Sequence, residues 1–372
     1  GSLNPHGRFV HVYINGVYWG QYNAHERLED SFLSTYLGGS NSDYNNVRGN
    51  DNSGDNFIIG TPEPPHREAW ETARANKGSY AFVKDRVDVS QMIDFMLVWF
   101  YGNCESEYRC AGPINAPGSG FKFWTADADG FLRTSALTLN RVSNTGPGGF
   151  FGALVAEGHP DFKTLLADRI YRHFFNSGAL TPEKNTARLN ARMAEIQDSL
   201  IAECARWGYR TPANWETSAE TIRTGLFPQR TNNLFTMLRN ANMYPTIDPP
   251  VLSQHGGSVT TGQVITVSAG TGTIYYTTDG SDPRLPGGGI SPTALSASTT
   301  SSTPLALAST WKYFDQGSLP AANWHTSAYS DSAWASGTAP LGYNSTQTTV
   351  VSDGSNASLK YRTTYFRKTI NS

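Results

Sequence analysis

Charged residues are scarce in this sequence. Lysine and arginine contribute 29 residues and aspartate and glutamate 31, so only 16% of the 372 residues are charged and the net charge is -2. About a quarter is usual for soluble proteins. A nearly neutral chain offers no strongly basic surface to nucleic acid or to an anionic membrane, so neither is expected as a partner.

Long apolar runs are lacking as well. The longest candidate for a membrane span, residues 92–101, is too short to cross a bilayer and contains Asp94. Aromatic residues make up 12% of the chain, and Gly, Ser, Thr and Asn are abundant. This balance predicts an extracytoplasmic protein, secreted or at the cell surface, that is rich in turns and strands.

Cysteine is rare, with only Cys104, Cys110 and Cys204 in the chain. Their spacing matches no zinc-binding pattern. Cys104 and Cys110 are near enough in sequence to close a small disulfide loop, which would leave Cys204 over. Three ordinary thiols explain the same residues equally well.

The most informative motif is the aromatic segment at residues 121–130, which ends in Asp127-Ala128-Asp129-Gly130. In an extended strand, residues two apart point to the same face, so Asp127 and Asp129 can converge on one cation or one proton-transfer partner. Asp and Gly also favour a tight turn. The motif therefore indicates either a chemical centre or a turn.

Alternating apolar residues around Asn15-Gly16 predict a β-hairpin over residues 8–24, because Asn-Gly favours the type I′ turn. We expect an amphipathic helix over residues 28–37 and then a long polar loop over residues 38–67. Within that loop Asp51 and Asp55 have part of the spacing of a calcium loop, so calcium is one ligand to consider there.

Further helices are predicted by periodicity and capping residues over residues 70–75, 89–101 and 217–243. The second of these begins at a cap, either Asp88 or Ser90. Thr181-Pro182-Glu183 has the typical order of cap, first-turn proline and acidic residue.

The segment Asp248-Pro249-Pro250 reads as a linker, and the short runs after it are rich in β-forming residues. The expected fold class is α+β. We predict a helix-rich domain over residues 1–248, a small β-sandwich module over 249–303, and an incomplete β-module over 304–372. Exposed strand edges of the incomplete module predict self-association through that end.

The predicted hairpin and the glutamate that follows it, Glu26, resemble the signature of the CotH family of spore-coat-type atypical kinases. The hairpin reads Tyr13-Ile14-Asn15-Gly16-Val17-Tyr18-Trp19-Gly20-Gln21-Tyr22. The resemblance extends over residues 8–245 and implies a partial protein-kinase-like fold that lacks its N-terminal half. Residues 251–295 are similar to the β-sandwich module at the C-terminus of chitobiases and hexosaminidases, and residues 310–370 resemble the start of a jelly-roll-like module.

Membership of the CotH family would imply phosphoryl transfer from ATP, with magnesium, to Ser or Thr of a protein substrate. Asn103, Glu105 and Asp127 would be the catalytic residues, with Asn103-Cys104-Glu105 as the counterpart of the catalytic loop. Glu26 and Asp129 would bind the cofactor, Glu26 at the position of the family's helix carboxylate. Asp127 and Asp129 would hold the metal ion.

The sequence also departs from the family's pattern. None of the 25 residues before Glu26 is lysine, and no glycine-rich phosphate loop occurs there. Glu105 stands where an aspartate is expected, and Arg109-Cys110 stands where an amide metal ligand is expected. These departures indicate a truncated chain or a relative with lost or altered activity.

Two other functions fit the residues. A secreted hydrolase of polysaccharides or esters would use two of the carboxylates as acid and base, or a serine with a histidine such as His25. The residues concerned are Glu105, Glu107, Asp127, Asp129 and Ser119. A non-catalytic scaffold would present aromatic side chains to glycans. These are Tyr275, Tyr276, Trp311, Trp324 and Trp334.

Overall fold

The structure is a computed structural model. It describes residues 4–50, 54–58, 66–103, 107–113, 120–126, 128, 130–208, 210–297, 308–343, 346–354, 356, 360–361 and 363–368. The chain divides into two compact units, one formed by Gly1–Ile247 with Pro286–Gly288 and the other by Asp248–Leu285 with Gly289–Ser372. The predicted division of the C-terminal part into two modules stays a prediction.

The first unit combines small antiparallel sheets with helices. Its strands, in chain order, are β1 Gly7–Ile14, β2 Val17–His25, β3 Tyr44–Asn50, β4 Gly54–Ile58, β5 Glu107–Pro113 and β6 Lys122–Thr125. Its helices are α1 Asp30–Leu37, α2 His66–Ala75, α3 Tyr80–Val83, α4 Val89–Gly102, α5 Phe150–Glu157, α6 Pro160–Phe174, α7 Pro182–Trp207, α8 Pro212–Glu220 and α9 Phe227–Asn240. This mixture confirms the α+β fold class.

The predicted hairpin is formed by β1 and β2, which pair antiparallel around Asn15-Gly16. Asn15 has φ 50° and Gly16 φ 78°, so both central residues adopt the positive φ that a type I′ turn requires. Ile14 lies opposite Val17 and closes the turn. The Asn-Gly signal therefore placed the turn correctly.

A four-stranded sheet has the order β4-β3-β5-β6, and two of its strands, β3 and β4, come from residues 38–67, which were predicted to be a polar loop. That prediction was wrong because β3, Tyr-Asn-Asn-Val-Arg-Gly-Asn, lacks the apolar alternation of a half-buried strand. Its strand conformation comes from pairing with β5, from Tyr44 opposite Pro113 to Asn50 opposite Glu107. Helix α1 packs on this sheet through Phe32 and Leu33.

Helix α4 lies at the centre of the main core. Met92, Ile93, Met96 and Leu97 on this helix have no accessible surface, and the surrounding helices and the sheet contribute the rest of the cluster. Of the two predicted caps, Asp88 is the one used, since its side chain accepts the N–H of Gln91 at 3.0 Å. The helix was predicted from its apolar character, and its bounds agree within one residue.

Two polar clusters tie α4 to its neighbours. Midway along the helix, Asp94 accepts a hydrogen bond from Nε of Arg169 at 2.6 Å, contacts Nε2 of His173 at 2.8 Å and pairs with the second guanidinium nitrogen of Arg169. Burial by itself would raise the pKa of Asp94, but the hydrogen bonds from His173 and Arg169 together outweigh it and lower the pKa. The cluster therefore joins α4 to α6 through a carboxylate that stays ionised.

At the C-terminal end of α4, Arg230 of α9 is fully buried. It donates to the carbonyl oxygens of Tyr101 at 2.9 Å, Leu139 at 3.3 Å and Leu137 at 3.4 Å, and also to that of Phe100. Burial lowers the pKa of Arg230 to about 10, so the guanidinium remains charged at neutral pH. This charge satisfies helix-end carbonyls that have no intrahelical partner.

The C-terminal helices of the first unit follow their predicted signals with one exception. Helix α7 begins after Thr181, whose hydroxyl accepts the N–H of Lys184 at 3.5 Å. The single helix predicted over residues 217–243 is instead α8, a π-helical segment at Thr221–Leu226, and α9. The backbone stays helical from α8 through this segment into α9, and Pro228, which lacks an N–H, removes one i→i−4 hydrogen bond close to the point where the π-helical segment ends.

The second unit contains short strands. They are β7 Val251–Leu252, β8 Val267–Ser268, β9 Tyr275–Tyr276, β10 Leu295–Ser296, β11 Thr310–Phe314, β12 Ala335–Thr338, β13 Leu341–Gly342, β14 Thr349–Val350 and β15 Tyr365–Arg367. The largest sheet has the order β12-β11-β15. Self-association through this end of the chain stays a prediction. In the described parts of both units, every helix is too short or too polar to span a bilayer.

Candidate functional site

The residues predicted to act at the site divide into two groups. Glu26 and Asn103 are described by the structure, whereas Glu105, Asp127 and Asp129 lie outside the described residues. The same holds for Asp51, Cys104 and Ser119, while Asp55 lies in β4 and Glu107 in β5 without a described side chain. The predicted calcium site and the Cys104–Cys110 disulfide thus stay predictions.

Glu26 lies in the segment between β2 and α1, so it is not on a helix as the family position would imply. The reason is local pairing, because its N–H donates to the carbonyl oxygen of His6 at 2.9 Å and extends the β1–β2 ladder. Its Oε2 accepts the main-chain N–H of His6 at 2.8 Å and lies 2.9 Å from the Nδ1 of that residue. Its Oε1 accepts the hydroxyl of Tyr36 at 2.6 Å.

These contacts favour the ionised form of Glu26. The main-chain N–H of His6, followed by the hydroxyl of Tyr36, lowers the pKa of the carboxyl group below its ordinary value. The hydrogen bond between Tyr36 and Glu26 also raises the pKa of Tyr36. The carboxylate thereby connects the start of β1 with the last turn of α1.

Glu26 lines a pocket of about 820 Å³. The base of the hairpin contributes Gly7 and Asn23 to its wall, and the segment after β2 contributes Arg27 beside Glu26. On another side the wall is formed by the end of β6. A volume of this size is typical of small-molecule sites.

The part of the wall at β6 consists of Thr125, Ala126 and Ala128. These residues immediately precede and separate the two aspartates of the Asp127-Ala128-Asp129 motif. The fold therefore brings the segment that contains the motif to the same cavity as Glu26, although the two are about a hundred residues apart in sequence.

Helix α7 supplies a second arginine to the wall, Arg192. Its guanidinium carbon lies 5.3 Å from the ring centroid of Phe9 on β1. Nη1 of Arg192 pairs with Oε2 of Glu195, one turn along the helix, at 2.5 Å. Neither Arg192 nor Arg27 was predicted from the sequence. An arginine three residues before a glutamate on a helix is an ordinary surface pair, so no local signal singles out Arg192.

The same helix fixes the position of the hairpin. Oε2 of Glu203 accepts the N–H of Gln21 at 2.7 Å, and the hydroxyl of Ser199 donates to the side-chain oxygen of Gln21 at 2.5 Å. Nε of Arg206 donates to the carbonyl oxygen of Tyr18 at 3.0 Å. Side chains of α7 thus satisfy main-chain groups on the outer edge of β2.

Asn103 caps the C-terminus of α4 in a left-handed conformation, with φ 56° and ψ 44°. Its side-chain oxygen accepts Nε of Arg141 at 2.6 Å. Asn is one of the few residues other than Gly that tolerate this conformation. The pattern of contacts gives Asn103 a structural role at the start of the predicted catalytic loop, and its catalytic role stays a prediction.

Other candidates have clear structural positions. Nδ1 of His25 lies 2.7 Å from the carbonyl oxygen of Glu26, and His25 also lines the pocket. Cys110 is buried in the core, and Cys204 on α7 is a free thiol that is half-buried. Within the described ranges, no group of three or more His, Cys, Asp or Glu side chains is placed to hold a metal ion.

Two of the aromatic residues considered for glycan binding pack against each other in the second unit. Trp334 is 5% exposed, and its ring is stacked with that of Trp324 at a centroid distance of 6.2 Å. A buried ring cannot stack on a sugar, so Trp334 belongs to the packing of the unit. Tyr275, in contrast, is 40% exposed.

Comparison with protein families gives a match for the N-terminal part of the chain. Residues 1–96 match the CotH family, described as CotH kinase protein. The matched segment includes the hairpin, Glu26 and the first half of α4, and it ends before Asn103 and the Asp127-Ala128-Asp129 motif. No curated protein matches the chain.

Proposed function

We propose that the first unit is a CotH-like kinase domain that transfers phosphate from ATP to a hydroxyl group of a protein substrate. The observation that carries the proposal is the composition of the pocket. One cavity is lined by Glu26, from the segment that matches the family, and by the residues around the Asp127-Ala128-Asp129 motif. These are the two places where the resemblance puts the groups that hold nucleotide and metal.

The described residues of the pocket suit a nucleotide. Its volume of about 820 Å³ lies within the usual range for small-molecule sites. Arg27 and Arg192 supply positive charge on its wall, and phosphoryl transfer depends mainly on positioning and on neutralising charge around the phosphates.

Magnesium would be held by Asp127 and Asp129, because proteins usually bind Mg²⁺ through one or two carboxylates together with the phosphates of the substrate. When bound, it would neutralise charge on the transferred phosphate. Glu26 has a different part in this proposal. Since both of its oxygens are engaged by His6 and Tyr36, Glu26 would hold the hairpin base and α1 at the mouth of the pocket.

For the acceptor hydroxyl, we assign the proton-accepting role to Glu105 by its place in the sequence, two residues after the C-cap of α4. Arg141 donates to that C-cap, Asn103. Arg230 binds the carbonyl oxygens of Phe100 and Tyr101 just before it. The end of α4 is thus fixed on two sides, which suits a loop that must place a carboxylate accurately.

The test is calorimetric titration of the chain with ATP and MgCl₂, repeated with Asp127→Ala and Asp129→Ala. We expect saturable, magnesium-dependent binding that is at least about tenfold weaker in each variant, because each removes a charged ligand. Asp85→Ala is the control, since Asp85 is an exposed aspartate that does not line the pocket. Absence of ATP binding by the folded parent chain would rule the proposal out.

A further inference from the structure

The pocket draws its positive charge from arginine alone among its described lining residues. The first lysine of the chain is Lys77, so the hairpin and the segment after it contain none. A pocket that binds phosphates needs a cation that reaches them. Among the described residues of the wall, the cations are Arg27 and Arg192.

Arg192 is better placed than Arg27 to serve as a fixed cation. It projects from α7, a helix that is itself bound to β2 through Glu203 and Ser199. Its guanidinium lies over the ring of Phe9 at 5.3 Å, and such a contact restricts the orientation of an arginine. Arg27 lies in the connection between β2 and α1, and its side chain is 74% exposed.

The ion pair of Arg192 leaves it able to bind an anion. The side chains of Arg192 and Glu195 are 58% and 44% exposed, and exposed pairs of this kind contribute little. A guanidinium has five N–H donors in a planar fork that matches phosphate. A phosphate in the pocket can therefore share Arg192 with Glu195 or replace that partner at small cost.

We propose that Arg192 binds the phosphate groups of the ligand in this pocket, in the role that protein kinases give to a lysine. The inference rests on the proposed nucleotide site, and it adds a helix of the C-terminal half of the unit to the phosphate-binding wall. Arg27, which is more exposed and pairs with Glu29, is the second cation of the same wall.

The experiment compares the parent chain with Arg192→Gln and Arg192→Lys. Arg74→Gln is the matched control, because Arg74 also pairs with a glutamate one helical turn away, Glu71, and does not line the pocket. Each protein is titrated calorimetrically with ATP and MgCl₂, with sodium tripolyphosphate, and with adenosine. Thermal unfolding checks that the variants are folded.

We expect Arg192→Gln to weaken binding of ATP and of tripolyphosphate by at least about tenfold, the loss typical of one charged hydrogen-bonding partner. Adenosine binding should be unchanged, since adenosine has no phosphate. The affinity of Arg192→Lys for ATP and tripolyphosphate should lie between those of the parent and Arg192→Gln, because lysine keeps the positive charge but lacks the planar, multiply donating guanidinium. Arg74→Gln should match the parent.

The outcomes separate this inference from the proposed function. If ATP binds and its affinity for Arg192→Gln is within twofold of that for the parent, the role of Arg192 is overturned and the proposed nucleotide site is supported. If tripolyphosphate binds through Arg192 but ATP does not bind, the nucleotide function is overturned and the phosphate-binding role of Arg192 is supported. If the parent binds neither, both are overturned.

Discussion

At the scale of single residues, Glu26 shows how a predicted functional group can also be part of the scaffold. Its carboxylate accepts hydrogen bonds from the main chain of His6 and from the hydroxyl of Tyr36. These two bonds tie His6, the residue before β1, to α1. The sequence indicated Glu26 through its place after the hairpin, but it gave no hint of either partner.

The lowered pKa of Glu26 has a testable cause. We expect Tyr36→Phe to raise the pKa of Glu26, because the variant removes the hydroxyl that stabilises the ionised form. Tyr22→Phe, at another exposed tyrosine, should leave it unchanged. Titration of the Glu26 carboxyl carbon by NMR measures both. An unchanged pKa in Tyr36→Phe would show that this hydrogen bond is absent in solution.

The pH dependence follows with a definite sign. Because the pKa of Glu26 is lowered on folding, its contacts stabilise the fold above the unfolded-state pKa, about 4.3. That contribution is lost as the pH falls through the folded-state value. The stability difference between the parent and Tyr36→Phe should therefore be largest at neutral pH and shrink in acid.

At the scale of secondary-structure elements, the hairpin owes its position to α7. Gly20 of β2 makes the contact between the two possible, since a Cβ there would lie 2.9 Å from Oε2 of Glu203 and 3.2 Å from Nε1 of Trp207. The φ of Gly20 is +149°, which side chains rarely adopt. A glycine at position 20 thus allows both the backbone conformation of β2 and the close contact with α7.

We predict that Gly20→Ala destabilises the first unit by at least about 1 kcal/mol, from the positive φ and from the crowding against Glu203. Gly16→Ala is the comparison, because Gly16 also has a positive φ but has open space around its Cβ position. Urea unfolding measures the free energy of unfolding of both variants, and Gly20→Ala should lose more stability than Gly16→Ala. An equal or smaller loss would show that α7 does not contact the hairpin as described.

At the scale of the whole molecule, the two units differ in how much core they have. The first unit has a large cluster of buried residues around α4. None of the described residues from 249 to 297 is buried, and Trp334 and Val351 are the large buried side chains in the described part of the C-terminal segment. Separate cores predict separate cooperative unfolding.

Differential scanning calorimetry of the whole chain should therefore show two separable transitions. Arg230→Met should lower one of them by roughly 5–10 °C, since it leaves buried carbonyl groups of the first unit without partners. Arg367→Met should lower only the other, because Arg367 donates to the carbonyl oxygens of Tyr329 and Thr326 within the second unit. A single transition that both variants shift equally would contradict this organisation.

The parts of the fold that the sequence predicted correctly are those set by neighbouring residues. Asn15-Gly16 specified its turn, Asp88 and Thr181 specified helix starts, and the apolar character of residues 89–101 specified the helix α4. β3 was missed because its strand conformation depends on pairing with β5, about sixty residues away. The π-helical segment between α8 and α9 was missed because the helical conformation itself continues through it.

For the candidate site, the amino-acid sequence alone identified the residue types: a glutamate after a signature hairpin and a pair of aspartates spaced for one face of a strand. Tertiary structure decided that their segments share one pocket and that Arg192 of α7 completes its wall. The physical reason is the distance along the chain over which each kind of interaction acts. Turn and helix preferences act within a few residues, whereas a cavity is formed by side chains that meet only when distant elements pack together.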